Sequence, residues 1–316
     1  MCILFEKGRI HDLKKWLGSL ALLALLTGCN SIDEKSKTDE PKIVVTTGQI
    51  ADVVDEVGGD YVQVEALMGP GVDPHLYKAT QGDLAKLNNA DMIFYNGLHL
   101  EGQMVDIFEQ MGKQKTVTAI SDGIEENDLL KDKKNPDLHD PHIWFDIELW
   151  KDVTKKVTAT LIKEYPENEK KFKDNQNQYL KELEDLQQFS KEKIQEIPEK
   201  QRVLVTAHDA FNYFGKSQGF EVRGLQGLST ESEYGVKDVQ DMVDFLVKNK
   251  IKAIFVESSV SDKAMTAIID GAKKKGHDVV IGGELYSDAM GAKDTKEGTY
   301  TGMYQHNINT IVDALK

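Results

Sequence analysis

The stretch "KIVVTTGQIADVVDEVGGDYVQVEALM", residues 42–68, sets the reading of the whole chain. Its β-branched start, "KIVVTT", reads as a strand. "GQIADVVDEVGG" carries apolar residues at helical spacing and is stopped by paired glycines, and "YVQVEALM" reads as a second strand. Strand, helix and strand in so few residues point to parallel strands joined by a helix. The alternation continues outward with a helix near Gln81–Leu87, the strand "MIFYNG", a helix near Glu101–Met111 and the strand "KTVTAI".

A second set follows: the strands "RVLVTA", "FEVRGL", "KAIFVES" and "DVVIGG", helices near Phe211–Ser217, Val236–Lys248 and Asp262–Lys275, and a last helix near Thr299–Leu315. Between the sets, residues 167–200 are rich in Lys, Glu and Gln and free of glycine, with Pro166 before and Pro198 near the end. This segment reads as one long helix, a spine between two similar lobes rather than a solvated arm. The expected fold class is α/β: two lobes, each a four-stranded mostly parallel sheet flanked by helices, joined by one long helix. The expected bounds are 42–165 for the first lobe, 166–198 for the linking helix and 199–316 for the second lobe. The segment 121–140 reads as an exposed charged connector.

Before the first lobe, Lys7, Arg9, Lys14 and Lys15 precede the apolar run "WLGSLALLALL" and then "TGCNS". A basic start, a short apolar run and small residues form the pattern of a secretory signal peptide, too short for a comfortable membrane span. "Leu26-Thr27-Gly28-Cys29" resembles a bacterial lipobox. That resemblance implies cleavage before Cys29, a diacylglyceryl group on its sulfur and anchorage to the extracytoplasmic face of the membrane. Residues 1–28 are then the signal, and 29–41, polar and charged, a flexible tether. Only two cysteines occur in 316 residues, and Cys2 leaves with the signal, so no intrachain disulfide is expected. The net charge of −14 argues against nucleic acid as a partner, because phosphate backbones are held by Lys and Arg.

Asp-Pro-His occurs twice, at 73–75 and at 140–142, in a chain with 7 prolines and 8 histidines. Proline fixes its own φ and restricts the preceding residue, so each tripeptide presents histidine from a stiff turn. His75, His142 and His208 all follow strands, and ligands of open α/β sheets bind outside the carboxyl ends of strands. Asp288, after the last strand, is the fourth candidate. Three imidazoles and a carboxylate suit a divalent transition metal, with Asp73, Asp140 and Asp209 as nearby acids to orient the rings. Glu257, at another strand end, is a further candidate support. His99 follows a strand and is weighed as a weak candidate; His139, His277 and His306 read as exposed, turn and helix residues.

Several long blocks resemble one family: "GPGVDPHLYKATQGDLAKLNNADMIFYNGLHLEGQM", "DPHIWFD", "VLVTAHDAFNYFG", "GLQGLSTESEYG", "IFVESSV" and "LYSDAMG" with "EGTYTGMYQHN". They are similar to the metal-binding lipoproteins that deliver manganese or zinc to ABC importers, above all those of Gram-positive bacteria that bind manganese. Position by position, the resemblance implies the ligands His75, His142, His208 and Asp288. It departs at the third, which is glutamate in some manganese-specific members. What the resemblance implies is a non-enzymatic, monomeric binding protein that captures Mn²⁺, with Zn²⁺ or Fe²⁺ as alternatives, and hands it to a permease and its ATPase. The 121–140 segment lacks the histidine-rich run of many zinc-dedicated members, which favours manganese. A metal-dependent hydrolase and a surface adhesin are the alternatives of other classes. The first needs an open coordination position, and no HExxH motif occurs.

Overall fold

The first strand, β1 (Lys42–Val45), alternates its side chains between two buried faces, with Ile43 and Val45 in one apolar cluster and Val44 in another. A strand buried on both sides belongs inside a sheet covered by two layers. The computed structural model, which describes residues 40–133 and 135–316, places β1 between β2 (Gln63–Ala66) and β3 (Met92–Tyr95). β4 (Thr116–Ala119) completes the sheet in the order β2-β1-β3-β4, all parallel. Its crossovers are α1 (Gly48–Gly58), α2 (Gln81–Asn89) and α3 (Val105–Met111). The signal, the lipobox with Cys29 and most of the tether lie outside the described residues.

The second set of strands is also parallel, but its hydrogen bonding divides into two ladders. β5 (Val203–Thr206) pairs with β6 (Glu221–Gly224), and β7 (Ala253–Glu257) pairs with β8 (Val280–Leu285). β5 lies alongside β7, so the expected four-stranded sheet is present as two neighbouring two-stranded ladders. Leu204 and Phe255 face one apolar cluster while Val205 and Ile254 face another, as in the first lobe.

Two helices join the sets. α4 (Ile147–Glu164) was not expected from the sequence, and α5 (Glu169–Ile194) was. α5 buries Phe172, Tyr179, Leu183, Leu186 and Ile194 along one stripe and packs against α1 and α4 of the first half. It also packs against the closing helix α9 (Tyr300–Leu315). Three helices complete the second half: α6 (Asn212–Gln218), α7 (Val236–Asn249) and α8 (Lys263–Lys274). One apolar cluster runs without a break from Ile43 through α4 and α5 to Tyr304, so the halves share a core. The 121–140 segment is more than a solvated connector. Leu129 and Leu130 pack on that core, and the Leu130 N–H donates to Tyr213 Oη at 3.0 Å.

Candidate metal centre

Each turn that carries a candidate ligand is fixed by its own backbone chemistry. Beyond β2 the ladder persists for two residues, with Leu67 N–H bonded to Val45 O and Met68 N–H to Thr46 O. The chain then turns at Gly71, whose φ of +70° suits glycine. Asp73 Oδ1 accepts the His75 N–H at 2.9 Å, an Asx turn that closes over Pro74. The second motif repeats the device: Asp140 Oδ1 accepts the His142 N–H at 2.9 Å and lies 2.7 Å from its Nδ1.

A buried chain of polar contacts seats this second turn. Glu101 accepts from Thr46 Oγ1 at 2.6 Å and from the Asn96 N–H at 2.8 Å, and Asn96 Nδ2 donates to Pro141 O at 3.0 Å. Burial pushes the Glu101 carboxyl above its usual range, against the pull of these hydrogen bonds. Gly97, Leu98 and His99 all have positive φ, at 84°, 54° and 64°. For the two non-glycine residues this is an uncommon conformation, spanned by Glu101 reaching back to accept the Asn96 and Gly97 N–H groups. The same turn leaves His99 exposed and outside the cluster.

In the second half, His208 follows β5 directly. Glu257, the last residue of β7, accepts the His208 N–H on Oε1 at 2.8 Å, and its Oε2 lies 2.6 Å from Nδ1. Asp209 was expected beside this ring and Glu257 as a further support of the site; the ring nitrogens face Glu257 and Asp288, and Asp209 takes no part. Strand order explains the difference: β7 runs beside β5 and delivers its terminal carboxylate under the imidazole, whereas Asp209 is only a chain neighbour. Gly224 lets β6 end against this turn, since a Cβ there would meet His208 C and Asp209 Cα at 2.6 Å. The Asp288 segment is clamped by Asn307, which exchanges two hydrogen bonds with the Tyr286 backbone. From the first half, Gln49 Nε2 donates to Asp288 O at 3.1 Å and Trp144 Nε1 to Ser287 O at 3.0 Å.

His75, His142, His208 and Asp288 are brought together, each at most 3% exposed, with one candidate donor atom from each within 4.8 Å of the others. His142 Nε2 lies 3.4 Å from Asp288 Oδ1, while His208 Nε2 and His75 Nε2 lie 3.2 and 3.7 Å from Oδ2. All three Nε2 atoms and both Asp288 oxygens are buried without a hydrogen-bond partner. Buried polar atoms are almost always satisfied, so five such atoms around one point need a common partner. Donors bound to one transition-metal ion at ~2.1 Å lie roughly 3 to 3.5 Å apart, close to these spacings. The other histidines are engaged elsewhere: His139 with Glu126 at 3.0 Å, His277 with Ile251 O at 2.6 Å and His306 with Glu284 O at 3.1 Å.

The electrostatics favour a cation. Burial holds the His75 imidazole down to about 3, so this ring is neutral at any ordinary pH. Burial acts the same way on His142, but the Asp140 and Asp288 carboxylates outweigh it and carry the ring up to about 9. His208 is likewise raised by Asp288 and Glu257 against its burial. Asp288 is buried, yet the facing imidazoles hold its carboxyl well below the usual range. Anionic charge therefore persists in a closed pocket, an environment suited to a cation in place of the ring protons.

Two lobes about a long helix, with imidazoles and a carboxylate converging from both, define the architecture of a solute-binding protein with a metal-sized site. Residues 43–314 match the family described as ZnuA, zinc-uptake complex component A, periplasmic, and the chain belongs to that family. It is 52% identical over 292 residues to the manganese-binding lipoprotein MntA of Bacillus subtilis, spanning 92% of this chain and 95% of that one. It is 30% identical to the iron ABC transporter substrate-binding lipoprotein MtsA of Streptococcus pyogenes serotype M1, over 95% of this chain and 97% of that one. The structure of the periplasmic zinc-binding protein TroA from Treponema pallidum superposes with a TM-score of 0.85 at 46% identity. It covers 87% of this chain and 99% of its own. The protein is thus a metal-binding solute-binding protein of the ABC importer class, a family whose members are not enzymes.

Proposed function

We propose that the chain captures Mn²⁺ between its lobes, with His75, His142, His208 and Asp288 as the ligands, and delivers it to an ABC importer permease driven by its ATPase. The observation that carries this reading is the set of five buried, unpartnered donor atoms aimed at one point. Both Asp288 oxygens face imidazoles, so the carboxylate is placed to bind through both and give five donors. Closed zinc sites are almost always four-coordinate, and zinc otherwise binds nitrogen donors more tightly than manganese. A two-oxygen carboxylate therefore supports manganese by geometry. The identity to MntA supports the same choice.

Cys29 is the lipid attachment point in this reading, and the acidic segment after it is the tether of a monomer held at the extracytoplasmic face. In this reading the chain itself supplies at least four ligands, and no HExxH-type motif favours a hydrolase instead. Elemental analysis of protein purified without chelator tests the reading, followed by Mn²⁺ against Zn²⁺ competition. One manganese per chain is expected, lost on Asp288→Asn. Zinc retained against a large excess of Mn²⁺ would move the assignment to a zinc carrier.

A further inference from the structure

Both Asp-Pro-His aspartates are engaged twice, once inside their own turn and once across the cleft. While Asp73 Oδ1 holds the His75 N–H, its Oδ2 accepts the Thr230 hydroxyl at 2.6 Å. While Asp140 Oδ1 holds His142, its Oδ2 accepts Asn212 Nδ2 at 3.1 Å. Thr230 follows β6 and Asn212 opens α6, so both partners belong to the second half. The turn itself needs only the first oxygen; the second makes a contact that local folding does not require.

We propose that Asp73 and Asp140 are positioning residues that couple the first-half ligands to the second half, so that seating the histidines and closing the cleft are one event. This rests on the reading of the four residues as a cation site. An ion held by His75 and His142 from one half, and by His208 and Asp288 from the other, escapes only when the halves part. The two carboxylate ties act in parallel with the metal bonds and slow that parting. Hydrogen bonds to a charged acceptor are about twice as strong as neutral ones, which suits them to this task.

The ties are unequal. On the Asp140 side, Tyr213 Oη also donates to Asp140 O at 3.1 Å and accepts the Leu130 N–H. On the Asp73 side the neighbouring cross-cleft contact is an exposed one, Gln103 Nε2 to Glu231 Oε1 at 2.6 Å. The His75 side therefore opens first, and cutting its tie has the larger effect.

Thr230→Val removes the hydroxyl but keeps the shape and leaves the Asx turn at Asp73 intact. Stopped-flow release of Mn²⁺ into excess chelator, followed by tryptophan emission, is the measurement; Trp144 lies 5.3 Å from the His142 ring, centroid to centroid. Release should quicken roughly tenfold, with uptake rate and one-ion stoichiometry unchanged. Thr230→Ser should restore the wild-type rate, Asn212→Ala should give a smaller increase, and Asp73→Asn should add nothing to Thr230→Val. A wild-type release rate in Thr230→Val overturns the coupling. So does a quickened rate that serine fails to rescue, or a loss confined to the melting temperature of the cation-free protein. A wild-type chain that takes up neither Mn²⁺ nor Zn²⁺ sinks the binding reading itself, and the coupling with it.

Discussion

Glu257→Gln isolates the contribution of one carboxylate that touches no ion in the proposed site. The two Glu257 oxygens face two donors of one residue, the backbone N–H and the ring Nδ1 of His208. A carboxylate accepts both, which leaves the proton on Nδ1 and the lone pair on Nε2 for the cation. Glutamine keeps the volume but has only one acceptor. If its oxygen serves the backbone, its NH₂ faces Nδ1, and the ring proton must move to Nε2, which blocks coordination. If its oxygen serves Nδ1, two donors confront each other in a buried site, at a cost of about 1–3 kcal/mol.

Losses of this kind typically cost 10- to 100-fold in metal affinity, or about 1.4–2.7 kcal/mol. Chelator-buffered titration at pH 8 measures the deficit directly. The pH dependence provides an internal check. The Glu257 carboxylate also helps hold His208 protonated when no cation is bound. The variant therefore suffers less proton competition, and its deficit should narrow as pH falls from 8 to 6. Affinity within twofold of wild type at pH 8 would refute the argument. So would Asp209→Asn, which leaves both ring contacts of His208 in place, proving as damaging as Glu257→Gln.

Other expectations follow from groups already described. His142, raised to about 9, and His208, held well above the usual imidazole range by Asp288 and Glu257, must both shed protons to bind an ion, whereas His75 is already neutral. Wild-type affinity should therefore rise by up to about two log units per pH unit between pH 6 and 8, and calorimetry in buffers of different ionisation enthalpy should detect the released protons. Away from the site, burial carries Asp52 from 3.8 up to about 7, although the Tyr179 hydroxyl donates to its Oδ2 at 2.9 Å. Between those values the folded state keeps a proton that the unfolded chain has lost, so this residue's effect is to lower stability as pH rises through the window. Asp52→Asn should flatten the melting-temperature profile from pH 5 to 8, with a gain of roughly 1–3 kcal/mol at the upper end. Gly224→Ala should cost about 1–3 kcal/mol in chemical denaturation and weaken metal binding, because its Cβ would press on the His208 backbone.

The α/β alternation was legible because each strand is a short β-branched run and each crossover helix carries an apolar stripe. α4 was not, and its composition explains why. Val153, Thr154, Val157, Thr158 and Thr160 are β-branched and disfavour helix. The helix survives because its apolar face is buried, and three threonines there satisfy their hydroxyls on the carbonyl one turn back. Thr154 bonds Trp150 O, Thr158 bonds Thr154 O and Thr160 bonds Lys156 O, each at 2.8–2.9 Å. The ligand candidates were visible as histidines and an aspartate after strands. Their supports were visible where donor and acceptor are chain neighbours, as in Asp140 with His142, and Glu257 was visible as a strand-end carboxylate without its partner. The Glu257 grip on His208 depends on which strands lie side by side, and the Thr230 and Asn212 ties depend on how the halves meet. Neither leaves a local trace in the chain.

The belt formed by α9 has a consequence for how the molecule matures. Tyr300 Oη donates to Trp144 O at 2.7 Å and Tyr304 Oη to Phe145 O at 3.1 Å, binding the closing helix to the turn that presents His142. All four ligand candidates precede that helix in the chain. A nascent or truncated polypeptide ending just before Tyr300 would thus possess every donor without the scaffold that aligns them. Alignment of the donors therefore depends on the last segment to be made, and a chain cut before Tyr300 should lose Mn²⁺ uptake in elemental analysis although it keeps every candidate ligand.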